Sequence, residues 1–336
     1  MARVLIATDA WHPQVNGVVR SLDTTARTLR GWGHTVEVVE PTAFASVPLP
    51  FYPEIRLARP RPGRVYDRVR RARPDFVHIA TEGPLGLLVR RFCRNRGWKF
   101  TTSYHTRFPE YLKELVGVPL WPTYRFLRWF HDAAAAMQVA TPSLEKELLA
   151  RGFHPPIRRW SRGVDLGIFH PRPKPAGGHP RPVMLYVGRV SHEKNIEDFL
   201  KLDVAGTKLV VGDGPARAEL ERKYPAAVFL GYRKCEALGE AYAAADVFVF
   251  PSRTDTFGIV VIEALASGLP VAAYPATGPI DIITRDALGA IDEDLGAAVR
   301  RALHGGDPAA CAAEGASYTW ERCTRQFFEN LVPVGG

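Results

Sequence analysis

The 336-residue chain reads as an α/β protein built from two successive doubly wound domains. Three observations predict this. Short apolar runs alternate with amphipathic stretches from the first residues onward. A break rich in Pro and Gly interrupts the pattern between residues 170 and 182. The same alternation then restarts.

In the first half the expected strands are Arg3–Asp9, Thr35–Pro41, Asp75–Thr81, Lys99–His105 and Met137–Thr141, with helical patterns at Val18–Arg30, Pro84–Arg96 and Leu144–Ala150. The break has no periodicity and reads as a linker over 171–182. Beyond it, Val183–Gly188, Lys208–Gly212, Val228–Leu230, Val247–Pro251 and Val271–Tyr274 are short apolar runs, as in strands buried on both faces. Helical stretches lie at Ile196–Leu202, Ala216–Tyr224, Cys235–Ala245 and Gly258–Ala266, and an amphipathic tail covers Tyr318–Leu331. The expected domains are therefore 1–170 and 183–316, with a C-terminal helix in 317–336 that can pack on the first domain. Ligands of such sheets sit outside the carboxyl ends of the strands. Two such domains facing one another would form a central cleft.

Composition narrows the function. The net charge of +9 is unevenly spread: residues 1–175 hold 28 basic side chains against 14 acidic, and the remainder 16 against 21. Only the first half is thus set to meet an anionic partner. The four cysteines, Cys93, Cys235, Cys311 and Cys323, form no CxxC pair and read as reduced thiols. No run of 18 apolar residues and no signal-peptide pattern is present, so a cytoplasmic protein without a membrane span is expected. The first strand ends in Asp9-Ala-Trp-His-Pro13 without GxGxxG, against a nicotinamide dehydrogenase. No helix-turn-helix, RNP or zinc-finger pattern appears, so nucleic acid is not an expected partner.

Three segments carry chemistry. In Tyr186-Val-Gly-Arg-Val-Ser-His-Glu-Lys-Asn195 a buried strand ends at Gly188, which places Arg189 and Lys194 at the mouth of a sheet, where a diphosphate can be bound. They also fit as plain surface cations. In Val211-Gly-Asp-Gly-Pro215, Gly212 permits a tight turn and the close approach of a ligand. In Phe250–Pro270 a strand gives way to a helix near Gly258. Its free N–H groups favour a phosphate. Asp255 precedes that helix, and Glu263 lies about one and a half turns into it among apolar neighbours, where a lone carboxylate is costly. A paired or solvated helix carboxylate is the plain alternative, but the apolar surroundings favour a ligand role, such as two hydrogen bonds from a ribose diol.

These segments resemble the family 4 glycosyltransferases, retaining enzymes of the GT-B fold, whose Glu-x7-Glu motif is preceded by an Arg and a Lys. Here the pair is Asp255 and Glu263, with Asp in the first position. The form Thr254-Asp-Thr-Phe-Gly258 is similar to the branch holding sulfoquinovosyl-diacylglycerol synthases and GDP-mannose-dependent α-mannosyltransferases. The resemblance implies a donor diphosphate on Arg189 and Lys194 and a ribose on Glu263. It implies a donor sugar on Asp255 and the backbone of Thr256, Phe257 and Gly258. It also implies a front-face route in which the donor phosphate assists deprotonation of the acceptor. Asn16 and Gly17, in the loop after the first strand, would lie near the donor phosphate, and His105 would face the transferred sugar. No metal and no cofactor other than the nucleotide-sugar substrate is expected.

The acceptor side is read from charge. Eight arginines fall between Arg56 and Arg73; Arg90, Arg91, Arg94, Arg96 and Lys99 follow; and Trp121, Tyr124, Phe126, Trp129 and Phe130 interleave with Arg125 and Arg128. Rings and cations on one helix are what an anionic membrane surface binds, although a buried amphipathic helix with a solvated basic face gives the same pattern. The leading expectation is transfer of a hexose or hexuronic acid from a UDP-glucose or UDP-glucuronate type of donor to a lipid acceptor such as diacylglycerol or a sphingolipid. It would act peripherally at the inner face of the cytoplasmic membrane. GDP-mannose-dependent α-mannosyl transfer is the alternative, a GT-B sugar-nucleotide epimerase a remote one, and a non-catalytic sugar-nucleotide-binding module the weakest.

Overall fold

The computed structural model describes residues 1–48, 56–175 and 178–335. Linker residues 176 and 177, Gly336 and the Arg56 side chain lie outside the described residues. The chain divides into two compact units, Met1–Ser161 with Trp320–Gly336, and Arg162–Thr319.

The first unit holds β1 (Arg3–Ala7), β2 (Thr35–Val39), a small hairpin β3 (Ser46–Pro48) and β4 (Arg56–Ala58), then β5 (Phe76–Ile79), β6 (Thr101–Ser103), β7 (Ala136–Val139) and β8 (Ile157–Arg159). Its helices are α1 (Gly17–Gly31), α2 (Pro62–Ala72), α3 (Pro84–Asn95), α4 (Phe108–Val116), α5 (Leu120–His131) and α6 (Pro142–Ala150). The six-stranded sheet runs β2-β1-β5-β6-β7-β8, every pair parallel. Helices cover both faces, so β1 buries four of its five residues.

The second unit repeats the plan with β9 (Val183–Val187), α7 (Ile196–Leu200), β10 (Thr207–Val211), α8 (Arg217–Lys223), β11 (Val228–Gly231), α9 (Glu236–Ala244), β12 (Val247–Phe250), α10 (Ile259–Ala266), β13 (Val271–Ala273), α11 (Pro279–Ile282), β14 (Gly289–Ile291), α12 (Leu295–Gly305) and α13 (Pro308–Ala316). Its parallel sheet has the order β11-β10-β9-β12-β13-β14. This is the doubly wound order that reverses direction between its first and fourth strands. Two α/β units with parallel sheets are the GT-B plan expected from the sequence. No helix among the described residues is long and apolar enough to cross a membrane.

The boundary between units differs from the expected one. It falls at Ser161/Arg162 instead of residue 170, because Trp160 is the last anchor of the first core. Its ring packs on Phe327, with centroids 4.8 Å apart, and its Nε1 donates to Cys323 Sγ at 3.2 Å. After it, Phe169 packs edge-on against Tyr242 in the second unit. The stretch read as a linker is pinned by ion pairs from Arg172 to Glu236 and from Lys174 and Arg181 to Asp246. Lack of periodicity marked it as irregular; side-chain anchoring makes it part of a unit. The C-terminal helix α14 (Trp320–Glu329) belongs to the first unit, where it packs on α1 and buries Cys323, Thr324 and Phe327.

Candidate active site

In the second unit the strand order reverses between β9 and β12, and the loops that follow these two strands carry the residues singled out in the sequence. Strand β9 is buried at every position, which fixes its end and so the start of the next loop. The loop is tied down at once: the Tyr186 hydroxyl donates to the Arg189 carbonyl at 2.6 Å, and the Val190 N–H to the Asp213 carbonyl at 2.9 Å. The Arg189 side chain leans toward Glu193, with Nε 3.8 Å from Oε1. Lys194 ends a short 3-10 turn, closed by Asn195 in the left-handed region at φ 51°.

Lys194 and Asp255, given separate roles from the sequence, are joined. Lys194 Nζ lies 2.9 Å from each Asp255 oxygen, bridging the loops after β9 and β12 across the reversal point. Two more bonds fix the second loop. The Thr254 hydroxyl donates to the Glu193 carbonyl at 3.3 Å, and that of Thr277 to the Asp255 carbonyl at 2.9 Å. Thr256 and Phe257 are buried. Gly258 sits at φ 82° at the start of α10, whose first turn has no side-chain cap. A Cβ there would stand 3.1 Å from the Phe250 ring, so both conformation and space call for glycine.

Glu263 is 1% exposed. Its isolation in the sequence pointed to a ligand, but the fold supplies an internal partner: the Tyr242 hydroxyl lies 3.0 Å from Oε2. Burial of this carboxylate is therefore compensated within the protein. Tyr242, Thr254 and Thr277 are the site-building residues that sequence reasoning missed. The one available signal was a hydroxyl-bearing Tyr242 inside the otherwise apolar stretch Ala241–Ala244.

Gly212 also has a steric reason. A Cβ on it would fall 1.8 Å from the Gly188 carbonyl oxygen, and its φ is 140°. The glycine lets the ends of β9 and β10 close on each other.

In the first unit, Asn16 caps α1, its Oδ1 accepting from the Val19 N–H at 2.9 Å, and Asn16 and Gly17 are both exposed. His105 follows β6, buried, with its ring edge-on to Trp160 at 5.4 Å. Asp9, at the end of β1, is buried and turned inward. Its carboxylate accepts from Leu85 N–H (2.9 Å), Gly86 N–H (3.2 Å) and the Thr81 hydroxyl (3.0 Å), so it caps α3. Burial pushes the Asp9 carboxyl up to about 6, against the pull of those three donors, with Glu82 adding to the rise. His78, in β5 of the same sheet, is held between the Thr101 and Ser103 hydroxyls at 2.9 Å each, and burial lowers it to about 3, so it stays neutral.

The basic, aromatic region divides into buried and exposed parts. Arg90 is not a surface cation: it is buried, donates to the Phe130 and Trp129 carbonyls at 2.9 and 2.5 Å, and lies 3.9 Å from the Trp129 ring centroid. It caps the C-terminal end of α5. Tyr124, Leu127 and Phe130 face the core, whereas Trp121 (68% exposed), Arg125, Phe126 and Trp129 share the outer face of α5. Arg91, Arg94 and Arg96 of α3 and its end, with Arg61, Arg64, Arg70, Arg71 and Arg73 of α2 and its flanks, are exposed.

The chain is similar to known glycosyltransferases. The family model described as Glycosyltransferase Family 4 matches residues 15–167, and that described as Glycosyl transferases group 1 matches residues 181–304. A GDP-mannose-dependent alpha-mannosyltransferase of Mycobacterium tuberculosis is 34% identical over 316 residues, covering 84% of this chain and 81% of that one. The sulfoquinovosyl transferase SQD2 of Arabidopsis thaliana is 34% identical over 264 residues, 73% of this chain. The match spans only about half, 51%, of that plant protein. Among solved structures, a sucrose-phosphate synthase from Thermosynechococcus elongatus superposes with a TM-score of 0.73 at 20% identity, covering 97% of each chain. HepE of Anabaena, in complex with UDP and glucose, gives 0.71 at 14% identity over 98% and 99%. Fold likeness across the whole length and one-third identity over most of it agree: the chain belongs to the family 4 glycosyltransferases.

Proposed function

We propose that the chain transfers a hexose or hexuronic acid from a nucleotide sugar to a lipid acceptor, with retention at the anomeric carbon and without a metal ion. The observation that carries this reading is the convergence, at the reversal point of the second sheet, of Arg189, Lys194 and the uncapped first turn of α10. Cations and free N–H groups at one strand-end crevice are suited to a diphosphate leaving group.

In this proposal Arg189 and Lys194 bind the diphosphate, Glu263 the ribose, and Asp255 with the Thr256–Gly258 backbone the sugar. Gly212, which lets β9 and β10 close on each other, meets the donor from the loop after β10. Asn16, Gly17 and His105 serve the donor phosphate and transferred sugar from the first unit. Lys194 is pre-paired with Asp255, so an arriving diphosphate competes for its ammonium and leaves Asp255 available to sugar hydroxyls. Charge building on the leaving oxygen is met by fixed positive groups, while a donor phosphate oxygen takes the acceptor proton.

The outer face of α5 and the arginines of α2 and α3 are proposed to meet an anionic membrane from the cytoplasmic side. Exposed rings next to cations support this. A lipid acceptor accords with relatives such as the alpha-monoglucosyldiacylglycerol synthase of Streptococcus pneumoniae, 25% identical over 90% of this chain, and a UDP-sugar donor accords with the HepE structure that holds UDP and glucose. A second reading, GDP-mannose as donor, is favoured by the mycobacterial relative that is matched over four fifths of its length. The test is a panel of UDP-glucose, UDP-glucuronate, UDP-galactose and GDP-mannose with mixed lipid vesicles, with and without EDTA. Turnover of one donor with net retention, indifferent to EDTA, is expected. Transfer in none, or interconversion of the sugar nucleotide without an acceptor, defeats the proposal.

A further inference from the structure

The second unit has another concave site, at the end of its sheet opposite the proposed donor loops. Pro182, Asp246 and Pro270 immediately precede β9, β12 and β13, and all three line a cavity of about 550 Å³. Since these strands are parallel, the cavity lies at their amino ends and the donor loops at their carboxyl ends. The volume is that of a site for a small organic molecule.

Its walls and rim differ in character. Leu269, Leu303, Pro270 and Pro308 supply apolar surface. At the rim Lys174 and Arg181 both pair with Oδ1 of Asp246, while Oδ2 of the same residue accepts from the Val183 N–H at 2.7 Å. Burial pushes the Asp246 carboxyl up, but Lys174, the Val183 N–H and Arg181 outweigh it and hold it below its ordinary range, so it stays ionised. Arg172, also at the rim, is neutralised by Glu236. Lys174 and Arg181 thus share the single Asp246 carboxylate, and this cluster keeps one positive charge beside an apolar wall, while Arg172 is faced by Glu236 and, at longer range, by Glu240.

Two of the lining residues, Tyr242 and Ser267, touch α10 or its end. The Tyr242 hydroxyl holds Glu263, and Ser267 is the C-cap of α10, its N–H donating to the Glu263 carbonyl at 3.0 Å. A molecule wedged here presses on the end of the helix whose other end faces the donor.

We propose that this cavity is a regulatory site for a small organic anion, an apolar body bearing one phosphate or carboxylate group, and that its occupancy changes nucleotide affinity through Tyr242 and α10. The coupling rests on the donor-site reading above; the binding does not. The probe is phenyl phosphate, titrated calorimetrically into the full chain with and without saturating UDP or GDP. Binding is expected both with and without nucleotide, weakened at least about tenfold in a Lys174→Ala/Arg181→Ala variant. It is also expected to be lost in Leu303→Trp, which fills the cavity but leaves the ion pairs intact; thermal melting confirms that both variants are folded. Saturating phenyl phosphate is expected to shift nucleotide affinity about fivefold in the natural chain and not in Leu303→Trp. Failure to saturate by about 10 mM, or equal binding to both variants, overturns the site. An unmoved nucleotide affinity overturns the coupling. If neither nucleotide binds, the donor reading fails while the phenyl phosphate titration still decides whether the cavity is a site.

Discussion

The two units put opposite electrostatics at the same point of the same fold. In the first, the strand order turns between β1 and β5, and the helix after β5, α3, receives the buried carboxylate of Asp9 on its Leu85 and Gly86 N–H groups. In the second it turns between β9 and β12, and the helix after β12, α10, starts at Gly258 without a side-chain cap, beside loops bearing Arg189 and Lys194. One helix start is filled by the protein's own anion, and the other is set for an anion from outside. Strand order alone therefore does not say which crevice takes the phosphate. In the proposed function, the sign of the charge brought by the first strand's end does.

The sharpest way to break this contrast is Lys194→Ala. It removes a leaving-group cation and leaves Asp255 unpaired, and kcat/KM for donor is expected to fall about 10²- to 10³-fold. Unchanged turnover would put the diphosphate elsewhere. In the first unit the corresponding test is pH. The folded Asp9 pKa, about 6, stands above its ordinary 3.8, so the folded state holds the proton more tightly than the unfolded chain. The contribution is full below about pH 4 and is lost as pH rises through 6, about 3 kcal/mol in all. Asp9→Asn should flatten that part of a stability profile measured by urea unfolding. A profile identical to that of the natural chain would mean Asp9 is not the group responsible. Glu263→Gln should weaken UDP or GDP binding about tenfold by direct titration, with a smaller change in kcat, because a ribose contact is made in ground and transition states alike. The smallest effect is expected on the outer face of α5: Trp121→Ala should lower affinity for anionic vesicles about fivefold while leaving stability within about 0.5 kcal/mol. Equal binding by both proteins would remove the support for the membrane reading.

The central strands and the loops that follow them were legible because their information is local. β9 and β12 are apolar at every position, and Arg189, Lys194, Asp255 and Glu263 stand at fixed spacings along the chain. What stayed hidden is pairwise and distant. Lys194 meets Asp255 across 61 residues, and Tyr242 meets Glu263 across 21. Edge strands were missed for a physical reason: β8 is Ile157-Arg-Arg159 and β14 is Gly289-Ala-Ile291, too short and too mixed to show a period. Helix α13 lacks large apolar residues altogether. It packs on α10 through small ones, with Gly315 set so close to Ala266 that a Cβ would lie 2.1 Å from its backbone nitrogen. Arg90 shows the opposite error, since a charge counted as surface from composition is spent inside on two helix carbonyls.

The placement of α14 has a consequence for the order in which the chain can assemble. Trp160, His78 and the ends of β1 are sealed by Cys323, Phe327 and Leu331. A chain emerging from the ribosome therefore completes its second unit, a single continuous stretch from 162 to 319, while the first unit still lacks one wall. Until residues 320–331 are made, the first unit leaves apolar surface exposed to chaperones and proteases, and it finishes folding after the second.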